Sequence, residues 1–151
     1  MDDTPVDKVF FRLLYILKRL TDNWADTQFP GILEGFKNAY LPVLMCIHAN
    51  GISNNEIAGE LHISKMAVSK VVKELEKLAL ISGQKDKTDR RSERLFLTEK
   101  GKLLVKDVKT LSAGLIAEYE SILGKEKYQQ LIESMLALRH FHESLSGGEP
   151  K

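Results

Sequence analysis

The chain has 151 residues, 43% hydrophobic and 28% charged, with a net charge of +1, the profile of one globular domain of ordinary size. No apolar run approaches the roughly 18 residues needed to span a bilayer, and the acid-led start "MDDTPVDKVFF" reads as no signal peptide. The single cysteine, Cys46, excludes an internal disulfide framework and fits a reducing cytoplasm.

The elements follow in order. Residues 5–24 read as a helix, with Pro5 suited to its first turn and Val6, Phe10, Leu13, Leu17, Leu20 and Trp24 recurring at steps of three and four. Residues 25–36 hold Pro30, Gly31 and Gly35 and read as a loop. A second helix is expected from about Asn38 to Asn50, where Pro42 falls in the first turn and breaks no intrahelical bond. "SNNE" at 53–56 has the form of a capping box and opens a short helix to about Leu61. Ser64 caps the next helix, Lys65 to about Leu78, which should bury Val68, Val71, Val72, Leu75 and Leu78. "LISGQK" and "ERLFLT" read as two strands, with Leu95 and Leu97 on one face and Arg94 and Phe96 on the other. Thr98 caps a long helix to about Leu123, and a last helix runs from Lys125 to about Leu145. The tail "SGGEPK" should be disordered. The fold class is therefore mainly α with a small β-hairpin: a helix-turn-helix followed by a wing, flanked by helices. An isolated hairpin is marginal, so the wing must pack on the helices.

Charge is unevenly placed. Residues 64–106 hold twelve Lys and Arg against six Asp and Glu, and the remainder holds ten against fifteen. A basic middle between acidic ends suits a module that binds a polyanion, though a solvated helical face gives the same count. A helix-turn-helix lays its second helix in the major groove of DNA. Ala58 supplies the small residue where the two helices meet. Ile57, Leu61, Ile63, Val68 and Val72 should form the buried face. Ser64, Lys65, Ser69, Lys70 and Lys73 leave the other face polar, and Ser64 and Lys65 sit at a helix N-terminus that favours phosphate. Ser53 and Ala67, in the first turns of the two helices, complete the candidate contacts there. The loop "DKTDRRSER" adds Asp89, Arg90, Arg91 and Arg94. A wing tip beside a recognition helix overlies the minor groove, which attracts Arg, and Asp89 can orient Arg91 through a bidentate pair.

The stretch from Ser53 to Gly101, "NEIAGELHISKMAVSKVVKELEKLALI" and then "DKTDRRSERLFLTEKG", resembles the MarR family of bacterial transcriptional regulators. The family's Asp-x-Arg wing pattern falls on Asp89 and Arg91, and its Leu-Thr-x-x-Gly element on Leu97, Thr98 and Gly101. The helical flanks match in arrangement. The resemblance implies a homodimer that binds an inverted repeat in double-stranded DNA, usually as a repressor released by a small ligand or by oxidation. It implies one MarR-like domain over 1–151, with a DNA-binding lobe at 37–100 and a dimerisation region at 5–24 and 101–145. His62 and Ala79 depart from the pattern, standing where the family often has Gly. If those backbones need positive φ, each costs roughly 1–2 kcal/mol. From Ser64 to Leu80 there is no Arg, Asn or Gln, so bidentate reading of base edges is poor.

Outside the winged-helix unit, the last helix shows Tyr128, Leu131, Met135, Leu138, His142 and Leu145 at helical steps, broadened by Ile132 and Phe141. With the first helix it could form a large apolar dimer interface; packing within one chain is the alternative. No cofactor is expected. The four histidines are scattered, and His140 and His142 point to different faces of a helix, so no metal site is expected. Cys46, within "LPVLMCIH", lacks the local cations that lower a thiol pKa and reads as a structural residue. The peroxide-sensing relatives carry their cysteine in the first helix, which here has none. A small aromatic or amphipathic effector, placed as in the family between the dimer helices and the DNA-binding lobe, would meet Trp24, Phe36, Tyr40 and His48. Each of these reads equally as a core or interface residue. No nucleophile, base and orienter can be assembled, so an enzyme is not expected. The alternative function is a winged-helix module that contacts proteins, or binds nucleic acid without sequence preference.

Overall fold

Helix α1 spans Val6–Gln28 in the computed structural model, which describes residues 3, 5–29, 33–88 and 93–146. Pro5 stands at its N-cap with φ −55°, where a missing N–H leaves no bond unmade. The helix overruns its expected end at Trp24 by four residues. The sequence from Ala25 to Gln28 holds no breaker, and Pro30 disfavours helical backbone only at Phe29. Phe29 N–H closes the last turn on the Ala25 carbonyl at 3.0 Å. Pro30 and Gly31 of the expected loop lie outside the described residues. The chain divides into two compact units, Met1–Ala39 and Tyr40–Lys151. In the first, Phe10, Phe11, Leu13, Leu14, Leu17 and Leu20 of α1 are all exposed.

A 3-10 turn, Asn38–Tyr40, ends on the first residue of the second unit and runs into α2, Leu41–Met45. The expected helix to Asn50 is thus cut short at Met45. A longer-range demand overrides helix propensity there. Ile52 exchanges both backbone hydrogen bonds with Leu95, at 3.2 and 2.8 Å, and so joins the two-stranded wing through a single antiparallel bridge. Gly51, at φ 76°, turns the chain into that pairing. Helices α3, Asn54–Leu61, and α4, Lys65–Lys77, follow. Strands β1, Ile81–Lys85, and β2, Glu93–Leu97, pair antiparallel with Ile81 opposite Leu97 and Gly83 opposite Leu95. Helix α5, Glu99–Leu123, and helix α6, Lys125–Leu145, pack on each other.

The core of this unit is Val43 and Leu44 from α2, Ile57 and Ala58 from α3, Val68, Val72 and Leu75 from α4, and Leu80, Ile81 and Leu95 from the wing, with Leu104 and Val108 of α5 closing it. The core is narrower than the sequence pattern implied. Val71, Leu78 and Leu61 are half-buried, and Ile63 is exposed. No polar side chain is buried among the described residues. Cys46 is buried, and burial aided by Glu60 pushes its thiol up to about 11, so it is unreactive near neutral pH.

Both helices of the pair end in the same way. The N–H of Ile63 reaches back to Ala58 and that of Leu80 to Leu75, bonds that require a left-handed residue between. His62 fills that place at φ 56° and Ala79 at φ 59°. These are the two positions where the family pattern has glycine, and both do need positive φ. The Ala79 carbonyl is then free to accept from Thr98 Oγ1 at 2.6 Å, and Thr98 in turn caps α5 by accepting from Gly101 N–H. A Cβ at Gly101 would run into the Leu80 carbonyl oxygen, so the first turn of α5 can close on the wing only with glycine there. Replacing Ala79 with Gly should relieve the left-handed strain and raise stability by about 1 kcal/mol. Thermal unfolding should then shift upward by roughly 2–4 °C. An unchanged or lower midpoint would show that the site carries no strain.

Candidate nucleic-acid interface

The two helix N-termini of the helix-turn-helix are capped by their own serines. Ser53 Oγ accepts from Glu56 N–H at 3.2 Å, and Ser64 Oγ accepts from Ala67 N–H at 3.1 Å. Each hydroxyl keeps its proton for an outside acceptor. Helix α4 buries Val68, Val72 and Leu75 along one side. At 100° per residue the side directly opposite is Met66, Lys70, Lys73 and Lys77, spaced i, i+4, i+7 and i+11. All four are exposed. Lys65, at the first position of the helix, is exposed as well. Ser69 lies beside the outward stripe, half-buried, and its Oγ accepts from Asn54 of α3 at 3.4 Å. Ala67 is half-buried on the other flank. The structure thus places Lys70 and Lys73 on the outer side of α4 with Ser69 on its flank, Lys65 exposed in the first turn and Ser64 at its head. Ser53 stands at the head of α3.

The wing is tied to this pair by Arg94. Its Nη2 donates to the Gly51 carbonyl at 2.7 Å, and its Nη1 lies 3.5 Å from Glu56 and 3.9 Å from Asp86. The guanidinium is half-buried in the joint between wing and helices, a commitment that nothing in its local sequence signalled. Asp86 Oδ1 also accepts from the Thr88 N–H and hydroxyl at 2.9 and 2.8 Å, a side-chain turn that starts the wing tip. Asp89, Arg90 and Arg91 lie outside the described residues.

The turn between α3 and α4 has a second attachment. His62 Nε2 lies 3.1 Å from Glu143 Oε2 near the end of α6, and Arg139 holds the other carboxylate oxygen at 3.1 Å. The bond to His62, with Arg139 beside it, holds the Glu143 carboxyl below the usual range.

The four residues considered for an effector fall in both units. Trp24 and Phe36 belong to the first, where Trp24 packs edge-on against Phe29 with ring centres 6.3 Å apart. Tyr40 and His48 belong to the second. Tyr40 is a core residue there. His48, which the short α2 leaves off the helix, lines a cleft of about 500 Å³ whose wall includes Phe96, Leu97, Lys102 and Lys109. No group of three potential metal ligands occurs among the described residues. No described helix is long and apolar enough to cross a membrane.

A MarR family model matches residues 39–92. The chain is 29% identical over 143 residues to the HTH-type transcriptional regulator YvnA of Bacillus subtilis (strain 168), covering 87% of this chain and 85% of that protein. Its fold superposes on a MarR protein from Peptoclostridium difficile with a TM-score of 0.83 at 19% identity, over 95% of this chain and 94% of the other. It superposes on FabT from Streptococcus pneumoniae, a structure in complex with DNA, with a TM-score of 0.76 at 17% identity, over 93% and 99%. The family match falls on the helix-turn-helix and the first part of the wing just described, so it is this lobe of the chain that is similar to the MarR family of transcriptional regulators.

Proposed function

We propose that the chain is a sequence-specific DNA-binding repressor that grips an inverted-repeat operator as a homodimer in the cytoplasm. The observation that carries this reading is the outward side of α4. A helix whose inner side is fully buried presents Lys70, Lys73 and Lys77 in one row, where a recognition helix meets the major groove. The DNA-bound relative with the same fold supports it. In this reading residues 37–100 form the DNA-binding lobe, and 5–24 with 101–145 form the dimerisation region of one MarR-like domain. Ser53, Ser64, Lys65, Ala67, Ser69, Lys70 and Lys73 contact the major groove or its flanking phosphates. Asp89, Arg90 and Arg91 supply the minor-groove contact. Arg94 acts mainly by holding the wing in place. A small aromatic or amphipathic effector releases the DNA, and the cleft beside His48 is its best-supported seat.

The test is a titration of the full chain with a duplex enriched from a randomised pool and with a random duplex. Tighter binding to the enriched duplex is expected. Equal affinity for both would make the chain a nucleic-acid binder without sequence preference, a result that the absence of Arg, Asn and Gln from α4 would explain. No binding to either would leave a protein-contact module.

A further inference from the structure

Resting on the DNA-binding reading, we infer that Met66 is a specificity-determining residue that reads the C5-methyl group of a thymine in the major groove. Met66 is 77% exposed, at the second position of α4. It heads the same outward row as Lys70, Lys73 and Lys77 and faces directly away from the buried side. An unbranched apolar side chain held in water at the head of an otherwise cationic row does nothing for the fold. The N-terminal residues of a recognition helix are those that approach base edges. In the major groove the apolar feature that separates one base from the others is the thymine methyl. Helix α4 offers no Arg, Asn or Gln for bidentate reading, so an apolar contact is the discrimination that the tip of this row can make. Ile63, also exposed although it belongs to the turn, widens the apolar tip. The thioether of Met66 is flexible and polarisable, which suits contact with a methyl that the rest of the helix positions.

The experiment uses the full chain and a duplex enriched by it from a randomised pool. Each thymine of the half-site is replaced in turn by deoxyuridine, which lacks only the methyl. At one thymine per half-site the affinity should fall about fourfold, the worth of one buried methyl. Met66→Ala should lose the response at that thymine alone and bind the deoxyuridine duplex as the parent does. Met66→Leu, still apolar, should keep part of it. Because Met66 neutralises no phosphate, the salt dependence of Met66→Ala should match the parent. Circular dichroism should be unchanged, as expected for an exposed side chain. If the parent and Met66→Ala respond alike to every deoxyuridine, the methyl-reading role is overturned while DNA binding stands. If no duplex is enriched or bound, the DNA-binding reading fails and the inference falls with it.

Discussion

Raising salt from 50 to 200 mM should weaken duplex binding about a thousandfold, on a count of roughly six phosphates neutralised per dimer. Three cations per protomer meet that count. Lys65, Lys70 and Lys73 are exposed on α4, whereas Lys77 is drawn to Glu74 at 3.2 Å. Each phosphate contact contributes about −0.9 to the slope of log affinity against log salt. Lys70→Ala should therefore flatten the slope by about 1.8 in a dimer, since the change enters twice. Lys77→Ala, already paired, should change it less. Association measured by fluorescence anisotropy across salt gives the slope directly. A slope near zero would remove the electrostatic basis of the reading, because no exchange of protein cations for counterions would be taking place.

The local stops and starts of this fold were legible because their chemistry is local. Ser53, Ser64 and Thr98 each cap a helix through the backbone N–H three residues on, and the sequence shows that spacing directly. His62 and Ala79 were legible only as departures from a family pattern, and the backbone does adopt positive φ at both. What the sequence hid was set at long range. Nothing near Cys46 announces that α2 must end so that Ile52 can pair with Leu95, 43 positions away. Nothing near Arg94 announces that its guanidinium donates to the Gly51 carbonyl and so ties the wing to the helices. Met66 is inconspicuous in the sequence for a different reason. On a face sorted only into polar and apolar it looks like noise, although its i, i+4, i+7 register with Lys70 and Lys73 was there to be read.

The chain carrying both Leu131→Glu and Leu138→Glu should sediment as a 17.1 kDa monomer at concentrations where the parent runs at about twice that mass. Helix α6 has no buried residue among those described. Leu131, Met135, Leu138 and Leu145 are exposed at steps of three, four and seven, a continuous apolar stripe on a helix that already packs against α5. A stripe of that length is more than scattered surface hydrophobics explain, and a second copy packed on the same face would bury it. Two carboxylates in that stripe would have to be buried without partners on each side of the two-fold axis, a cost several times what one lost contact could return. Since both leucines are exposed in the single chain, the protomer should keep its helical content by circular dichroism. Gln130→Glu, off the stripe, is the control and should leave the dimer intact. Loss of the dimer should also weaken operator binding by about a hundred- to ten-thousandfold, because the second half-site is then no longer reached intramolecularly. A double variant that still sediments as a dimer would move the interface away from α6, and a parent that runs as a clean monomer at micromolar concentration would end the two-half-site reading altogether.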